Sequence, residues 1–417
     1  MNKELLKQIL LEQHPPTRNP QDIPRELRTT IHKYKETPFI IILSGIRRCG
    51  KSTLLHQIRS EDHPDSYYIN FDDERFVNFT VEDFQTLYEC LLELFGEKNT
   101  FFFDEIQNIK IWERFVRRLH DNKKKVYVSG SNASMLSREL GTHLTGRNIP
   151  VSLYPFSFKE FLLFKKQSYD SLNVLTTEQK SKLKRYFNEY LKNGGFPEYL
   201  QTGKDEYLKT VYENILYRDI ITRYHLPQEK PIKEVVYYAV SNIGKEISFN
   251  SLRKLTGLTS ATTIREYFDY LENSYLAFLV SKYNPSLKKQ IYSNKKIYFI
   301  DTGIARVLGF RTSDDIGRML ENIVFLHLKK QNKEIYFHKE KYECDFVIRE
   351  GSRIAEAIQV TYEINDNNKE REVNGLVEAL DTYKLNKGIV LTFDTEKEII
   401  EQKKKIIFKP VWKWLLE

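Results

Sequence analysis

Gly45-Ile-Arg-Arg-Cys-Gly-Lys51-Ser52-Thr53 decides the fold, because it fits the phosphate-cradling P-loop at every fixed position. The run Pro38-Phe-Ile-Ile-Ile-Leu43 ahead of it predicts a buried parallel strand, and Leu54-Leu55 after it opens an apolar helical pattern. Strand, glycine loop and helix in that order are the context the motif requires. Backbone N–H groups of Gly45, Ile46, Arg47, Arg48, Cys49 and Gly50, ending on a helix N-terminus, surround the β- and γ-phosphates. Lys51 adds a point charge to them, Ser52 offers its hydroxyl to Mg²⁺, and Thr53 completes the motif. The expected ligand is a nucleoside triphosphate.

A second element follows in Thr100-Phe-Phe-Phe-Asp104-Glu105-Ile-Gln107. Three apolar residues ending in two acids predict a central strand whose tip delivers carboxylates beside the P-loop. Asp104 is expected to hold Mg²⁺ through water, and Glu105 to polarise the water that attacks the γ-phosphate. A water-activating acid marks an ATPase rather than a kinase or a GTPase, so ATP and Mg²⁺ are the expected substrate and ion. A third strand, Lys125-Val-Tyr-Val-Ser129, runs into Gly130-Ser131-Asn132. Asn132 (or Ser131) there is a candidate γ-phosphate sensor or a helix N-cap, two compatible roles. Arg147, in Leu144-Thr-Gly-Arg147, is a candidate arginine finger acting in cis or from a neighbouring chain, or else a surface arginine.

The set G-x-R-R-x-G-K-S-T, F-F-D-E-I-Q and S-G-S-N, then T-G-R followed by L-Y-P-F-S-F-K-E-F at 153–161, resembles a widespread family of prokaryotic P-loop ATPases. These pair an AAA-type ATPase domain with a C-terminal domain labelled DUF4143. Gly194-Gly-Phe-Pro-Glu-Tyr-Leu200 and Tyr217-Arg-Asp219-Ile match the same pattern. The resemblance implies an α/β, additional-strand (ASCE) ATPase core of AAA+ type with a parallel sheet, and no agreed biological task.

At 417 residues the chain is long enough for two or three domains, each with its own core. No run of about eighteen apolar residues predicts a membrane span. The opening Met1-Asn-Lys-Glu-Leu-Leu-Lys-Gln reads as a charged helix rather than a signal peptide. Cys49, Cys90 and Cys344 lack metal spacing and suit a reducing cytoplasm, the expected location. A net charge of +8 favours polyanionic partners without establishing them.

Residues 1–176 are expected to form the ATPase domain and 177–230 a helical segment completing its lid, with Leu183, Tyr186, Phe187, Tyr190 and Leu191 at helical spacing. Residues 231–300 predict a winged helix. A helix runs from Ile232 to about Ile243, a second covers Ser248–Leu255, Gly257 turns the chain, and a third covers Thr259–Asn273. Tyr275–Val280 and Lys296–Ile300 are the expected wing strands, with Lys282, Lys288, Lys289, Lys295 and Lys296 along the hairpin. On this reading Thr259, Ser260, Thr262, Thr263 and Arg265 open a recognition helix, and duplex DNA is met mainly through its phosphates. The other reading packs the module as a lid or a protein contact.

Residues 301–417 predict a restriction-endonuclease-like α/β domain. In the PD-(D/E)xK fold, a glutamate on a helix, an aspartate entering a hairpin, and an acid-x-lysine strand assemble a Mg²⁺ site. Glu321 and Asp345 match, but Gln359 replaces the third acid and Thr361 the lysine, while Glu356 and Lys339 are candidates to stand in. Glutamine brings no charge to the metal and threonine no cation, so impaired cleavage is expected. Pro410–Glu417 predicts a terminal helix. Three functions are consistent with the sequence: a DNA-coupled ATPase, a nucleotide-dependent switch in a protein assembly, and an ATP-gated nuclease. A homo-oligomer stays open.

Overall fold

The apolar run before the P-loop forms strand β1 (Ile40–Gly45), every residue of which is buried. In the computed structural model, which describes residues 1–13, 22–132, 144, 146–168, 172, 175–258, 260–309, 316–366 and 368–417, the chain divides into two units, Met1–Tyr154 and Pro155–Glu417.

In the first unit β1 is joined by β2 (Tyr67–Asn70), β3 (Thr100–Asp104), β4 (Lys125–Gly130) and β5 (Asn148–Leu153) in the order β2-β3-β4-β1-β5. All four pairings are parallel. β4 is the additional strand between the P-loop strand and the acidic strand. Because the strands run the same way, the loops after β1, β3 and β4 meet at one edge of the sheet, where ligands of open α/β sheets bind. β2 and β5 were not among the expected strands. Pro150 makes β5 a poor strand by composition, and it is accommodated because β5 is an edge strand.

The phenylalanine run of β3 fills both faces of the sheet. Phe101 and Phe103 join a cluster with Phe71, Phe84 and Phe115, while Phe102 on the opposite face stacks on Tyr127 at 4.6 Å. Burying each ring contributes about 1.5–3 kcal/mol, which anchors the strand that ends in Asp104.

The second unit begins with helices Phe158–Phe164 and Thr177–Asn193, each started by a capping box, Ser157/Glu160 and Thr176/Gln179. Helices Pro197–Thr202 and Asp205–Asn214 follow, the latter running into a wider π-type turn, Ile215–Thr222. Next come helices Lys230–Ser241, Phe249–Thr256 and Ala261–Asn273 with strands β6 (Glu246–Ile247), β7 (Ala277–Lys282) and β8 (Lys295–Phe299). β6 and β7 flank β8, both antiparallel to it. Thr259 lies outside the described residues.

After helix Ile316–Lys330 come β9 (Glu334–Lys339), β10 (Glu343–Glu350), β11 (Arg353–Val360), β12 (Lys387–Thr392), β13 (Lys397–Glu401) and β14 (Lys404–Pro410). Helix Lys369–Thr382 crosses from β11 to β12, and the final helix is only Val411–Trp414. These strands make one nine-stranded sheet in the order β13-β14-β12-β11-β10-β9-β7-β8-β6. β7 pairs in parallel with β9 through Ser281–Tyr336 and Lys282–Phe337. The segments 231–300 and 301–417 therefore share a continuous sheet.

Asp301 ties this unit together. Its buried carboxylate caps helix Thr302–Leu308 through the N–H groups of Gly303 (2.8 Å) and Ile304 (3.1 Å), and also accepts from Gly195 (2.7 Å). A Cβ on Gly194 would come within 2.1 Å of the Asp301 carboxylate, and one on Gly195 within 2.3 Å of the Phe156 carbonyl. The Gly194-Gly-Phe-Pro segment is thus a close-packed joint. Asp301→Ala loses a cap and orphans a buried N–H, and should cost about 2–4 kcal/mol, read as a lowered thermal midpoint of the full chain.

Candidate functional site

Lys51 is the first residue of helix Lys51–Asp62, reached through Gly50 at φ 98° and Arg48 at φ 67°. These left-handed turns curl the loop over the tip of β1. Gly45 is required for a second reason: a Cβ there would lie 2.2 Å from the Leu153 carbonyl of β5. The Lys51 ammonium is buried, donating to the carbonyls of Gly45 (3.2 Å) and Ile46 (3.3 Å), and lies 3.4 Å from Glu105 Oε1. Burial works against its charge, but Glu105 and then Asp104 outweigh that and raise its pKa.

Asp104 ends β3, fully buried. Two hydroxyls donate to its carboxylate, Ser129 to Oδ1 and Tyr68 to Oδ2 at 3.0 Å. Burial and the neighbouring Glu105 push its pKa up, and the Ser129 and Ser52 hydrogen bonds oppose that. Glu105 sits at φ 50°, a left-handed conformation that costs a non-glycine residue about 1–3 kcal/mol. Its N–H donates to Ser129 Oγ at 3.1 Å, and its carboxylate accepts from the Gln107 amide. Burial opposes its charge, but Lys51 beside it lowers its pKa, keeping it ionised.

Ile46 and Cys49 are buried beneath the loop, whereas Arg48 and Ser52 are exposed and Arg47 and Thr53 half-buried. The Cys49 thiol points to the Leu153 carbonyl at 3.5 Å, and burial raises its pKa, so its contribution is packing. Ser131 and Asn132 lie buried directly after β4. Ser131 Oγ has no hydrogen-bond partner among the described residues. Arg147 is placed elsewhere. Its carbonyl accepts from the N–H of Ile40, the first residue of β1, and its Nε lies 3.5 Å from Asp121. The length of β1, roughly 16 Å at about 3.3 Å per step, separates it from Gly45. The fold does not bring Arg147 to its own P-loop, which leaves a role in trans or on the surface.

Three side chains of this site escaped the sequence reading. Arg25 is buried and donates to the Cys49 carbonyl (Nη1, 2.7 Å) and the Tyr154 carbonyl (Nη2, 2.6 Å), bracing the loop against the end of β5. Tyr68 and Ser129 hold Asp104 from the two neighbouring strands. Ser129 was visible as the end of a predicted strand, but nothing in the sequence marks Arg25 or Tyr68.

In the second unit, Glu321 and Asp345 come together, both accepting from Lys296. Gln359 and Thr361 are engaged differently: Gln359 bridges the Asp345 N–H and Glu372, and the Thr361 hydroxyl donates to the Glu363 carbonyl. Glu356 and Lys339 pair with Lys333 and with Glu246 and Glu343 respectively. Of the five lysines expected along the wing, Lys296 is buried, Lys282 pairs with Glu340 at 3.0 Å, and Lys295 bonds Ser281 and the Gln290 carbonyl. Lys288 and Lys289 remain exposed.

Residues 37–162 match the family described as AAA domain, 161–314 a domain of unknown function (DUF8612), and 316–414 a domain of unknown function (DUF4143). A Methanocaldococcus jannaschii protein named MJ1544 is 34% identical over 99% of this chain and 96% of its own length. A Haemophilus influenzae protein is 31% identical over 84% of this chain and 89% of its own. Among solved structures, the Thermotoga maritima RuvB Holliday junction branch migration motor aligns at 17% identity and TM-score 0.31, covering 64% of this chain and 93% of its own. Scores this low leave the assignment to the family matches and the sequence relatives. The chain belongs to the family of AAA-type P-loop ATPases that carry a C-terminal DUF4143 domain, together with these archaeal and bacterial relatives.

Proposed function

We propose that the chain binds ATP with Mg²⁺ and hydrolyses it. The observation that carries this reading is the buried Asp104 carboxylate at the tip of β3, held by Ser129 and Tyr68, with Lys51 lying 3.4 Å from Glu105 beside it. The Ser52 hydroxyl and the Asp104 carboxylate are oxygen donors of the kind Mg²⁺ prefers, and Ser52 is near enough to lower the Asp104 pKa, so the residues fit the ion. Mg²⁺, when bound, neutralises charge on the β- and γ-phosphate oxygens. Ser52 and Asp104 would hold it, and Tyr68 and Ser129 would fix the Asp104 carboxylate in the required orientation.

Lys51 exchanges its present carbonyl partners for phosphate oxygens, and the N–H groups of residues 45–51 surround the same phosphates. That exchange also frees Glu105 from its ion pair, leaving an ionised carboxylate to take a proton from the attacking water. Asn132 and Ser131 are the sensor candidates, and Ser131 has a buried hydroxyl to offer. Arg147 would stabilise transferred charge only in a neighbouring copy.

For the second unit, the order of helices Lys230–Ser241, Phe249–Thr256 and Ala261–Asn273 with β6, β7 and β8 supports a winged helix. In the DNA-coupled reading, its phosphate contacts would come from Arg265, Lys288 and Lys289. The exposed face of Ala261–Asn273 also carries Glu266 and Asp269, which repel phosphate. That observation favours the second reading, a nucleotide-dependent switch whose C-terminal unit contacts protein.

Lys51→Ala should abolish binding of a fluorescent ATP analogue. Glu105→Gln should bind it normally yet lose roughly a hundredfold or more in turnover, and full turnover in that variant would remove Glu105 from the role of base. Arg25→Met should weaken ATP binding about tenfold by loosening the loop, without a matching fall in turnover at saturation. Steady-state hydrolysis with and without duplex DNA, at two salt concentrations, separates the two readings. Stimulation that fades with salt supports DNA coupling, and indifference to DNA supports the protein-directed switch.

A further inference from the structure

Lys296 lies in β8 among the residues expected to face nucleic acid, yet it is 1% exposed and points into the unit. Its neighbour Lys295 points the other way, as strand alternation requires. The Lys296 ammonium is 3.0 Å from Glu321 Oε1, 2.7 Å from Glu343 Oε1 and 2.8 Å from Asp345 Oδ1. Those carboxylates arrive from two elements, helix Ile316–Lys330 and the β10 strand of the hairpin. They are the elements that deliver the metal-binding acids in a restriction-endonuclease-like fold.

Other groups of the protein crowd or bond these acids as well. Glu321 Oε1 accepts the Tyr298 hydroxyl at 2.6 Å, and its Oε2 is pressed against Gly244, where a Cβ would come within 2.7 Å. Asp345 Oδ2 accepts the Val360 N–H at 2.9 Å. Gln359, at the place of the third acid, is held between the Asp345 N–H (3.1 Å) and Glu372 (2.6 Å). Among the described residues no three His, Cys, Asp or Glu side chains are arranged to hold a metal ion. A divalent cation therefore does not fit this cluster as it stands.

We infer that the Lys296 ammonium takes the place of a divalent cation, making the acidic centre of the DUF4143 domain a cation site filled by the chain itself. The electrostatics agree with the geometry. Against burial, Asp345 and Glu321 raise the Lys296 pKa well above the usual lysine range, so the site keeps its positive charge. Burial and then Asp345 push Glu321 up to about 7, with Lys296 opposing. The lysine thus compensates acids whose mutual repulsion the fold would otherwise carry. On this account the domain binds or positions a partner without metal-dependent cleavage.

The inference predicts that a metal site appears when the lysine is removed. Mn²⁺ binding to the full, nucleotide-free chain, followed by electron paramagnetic resonance, should show one additional bound ion per chain in Lys296→Met, and Asp345→Asn added to it should abolish that ion. Mn²⁺ should also raise the thermal midpoint of Lys296→Met by more than it raises that of the native chain. A folded Lys296→Met that gains no ion overturns the inference, as does a native chain whose Mn²⁺ binding is lost in Asp345→Asn. If Lys296→Met does not fold, Lys296→Met/Asp345→Asn should recover folded protein by removing the unmatched charge, and failure to recover would equally overturn it. None of these readouts depends on ATP turnover.

Discussion

A buried ammonium has to be matched by carboxylates, and this constraint shapes both units of the chain. Moving a charge out of water costs several kcal/mol unless partners and hydrogen bonds compensate it. Lys51 meets the requirement with Glu105 and two loop carbonyls, and Lys296 meets it with Glu321, Glu343 and Asp345. The difference lies in what surrounds them. Around Lys51 the partners are backbone carbonyls and one acid at the open edge of a sheet, which a phosphate can replace. Around Lys296 the partners are three acids whose other oxygens are largely engaged by the protein.

The same contrast explains where strain is placed. Glu105 and Arg48 hold left-handed backbone conformations at the sheet edge that carries the P-loop. The fully buried β1 and β3 flank the strand between them and supply the rigidity that keeps such conformations in place. Asp104, at the end of the phenylalanine run, is fixed by hydroxyls from both neighbouring strands. The position and orientation of the Asp104 carboxylate are thus set by the fold, the preorganisation that the proposed hydrolytic site would need.

Much of this was legible in the chain's own order of residues. The P-loop and the Phe-Phe-Phe-Asp-Glu strand are local patterns, so the strand, loop and helix around Gly45 to Thr53 and the strand ending in Asp104 could be read directly. Arg25 and Tyr68 could not, because each meets its partner across a long sequence separation and neither belongs to a periodic run. β5 was hidden by Pro150, an obstacle only for an inner strand. Arg147 could be read as a finger in cis or in trans or as a surface arginine, and the backbone bond to Ile40 beside the β1–β5 pairing fixes it at the far end of the sheet from its own Gly45. Lys296 looked like part of a basic wing, and only the side-to-side alternation of β8 shows that it turns inward. In each case the missing information was which way a side chain faces, or which distant segment lies beside it.

The central claim is that Ser52 and Asp104 form the ion-binding half of a hydrolytic ATP site. The most direct test is phosphate release by the native chain from ATP with Mg²⁺ present and with all divalent ions chelated, compared with Asp104→Asn under both conditions. Release by the native chain only when Mg²⁺ is present, and its loss in Asp104→Asn, is the predicted result. Undiminished release without divalent ions, or by Asp104→Asn, would contradict it.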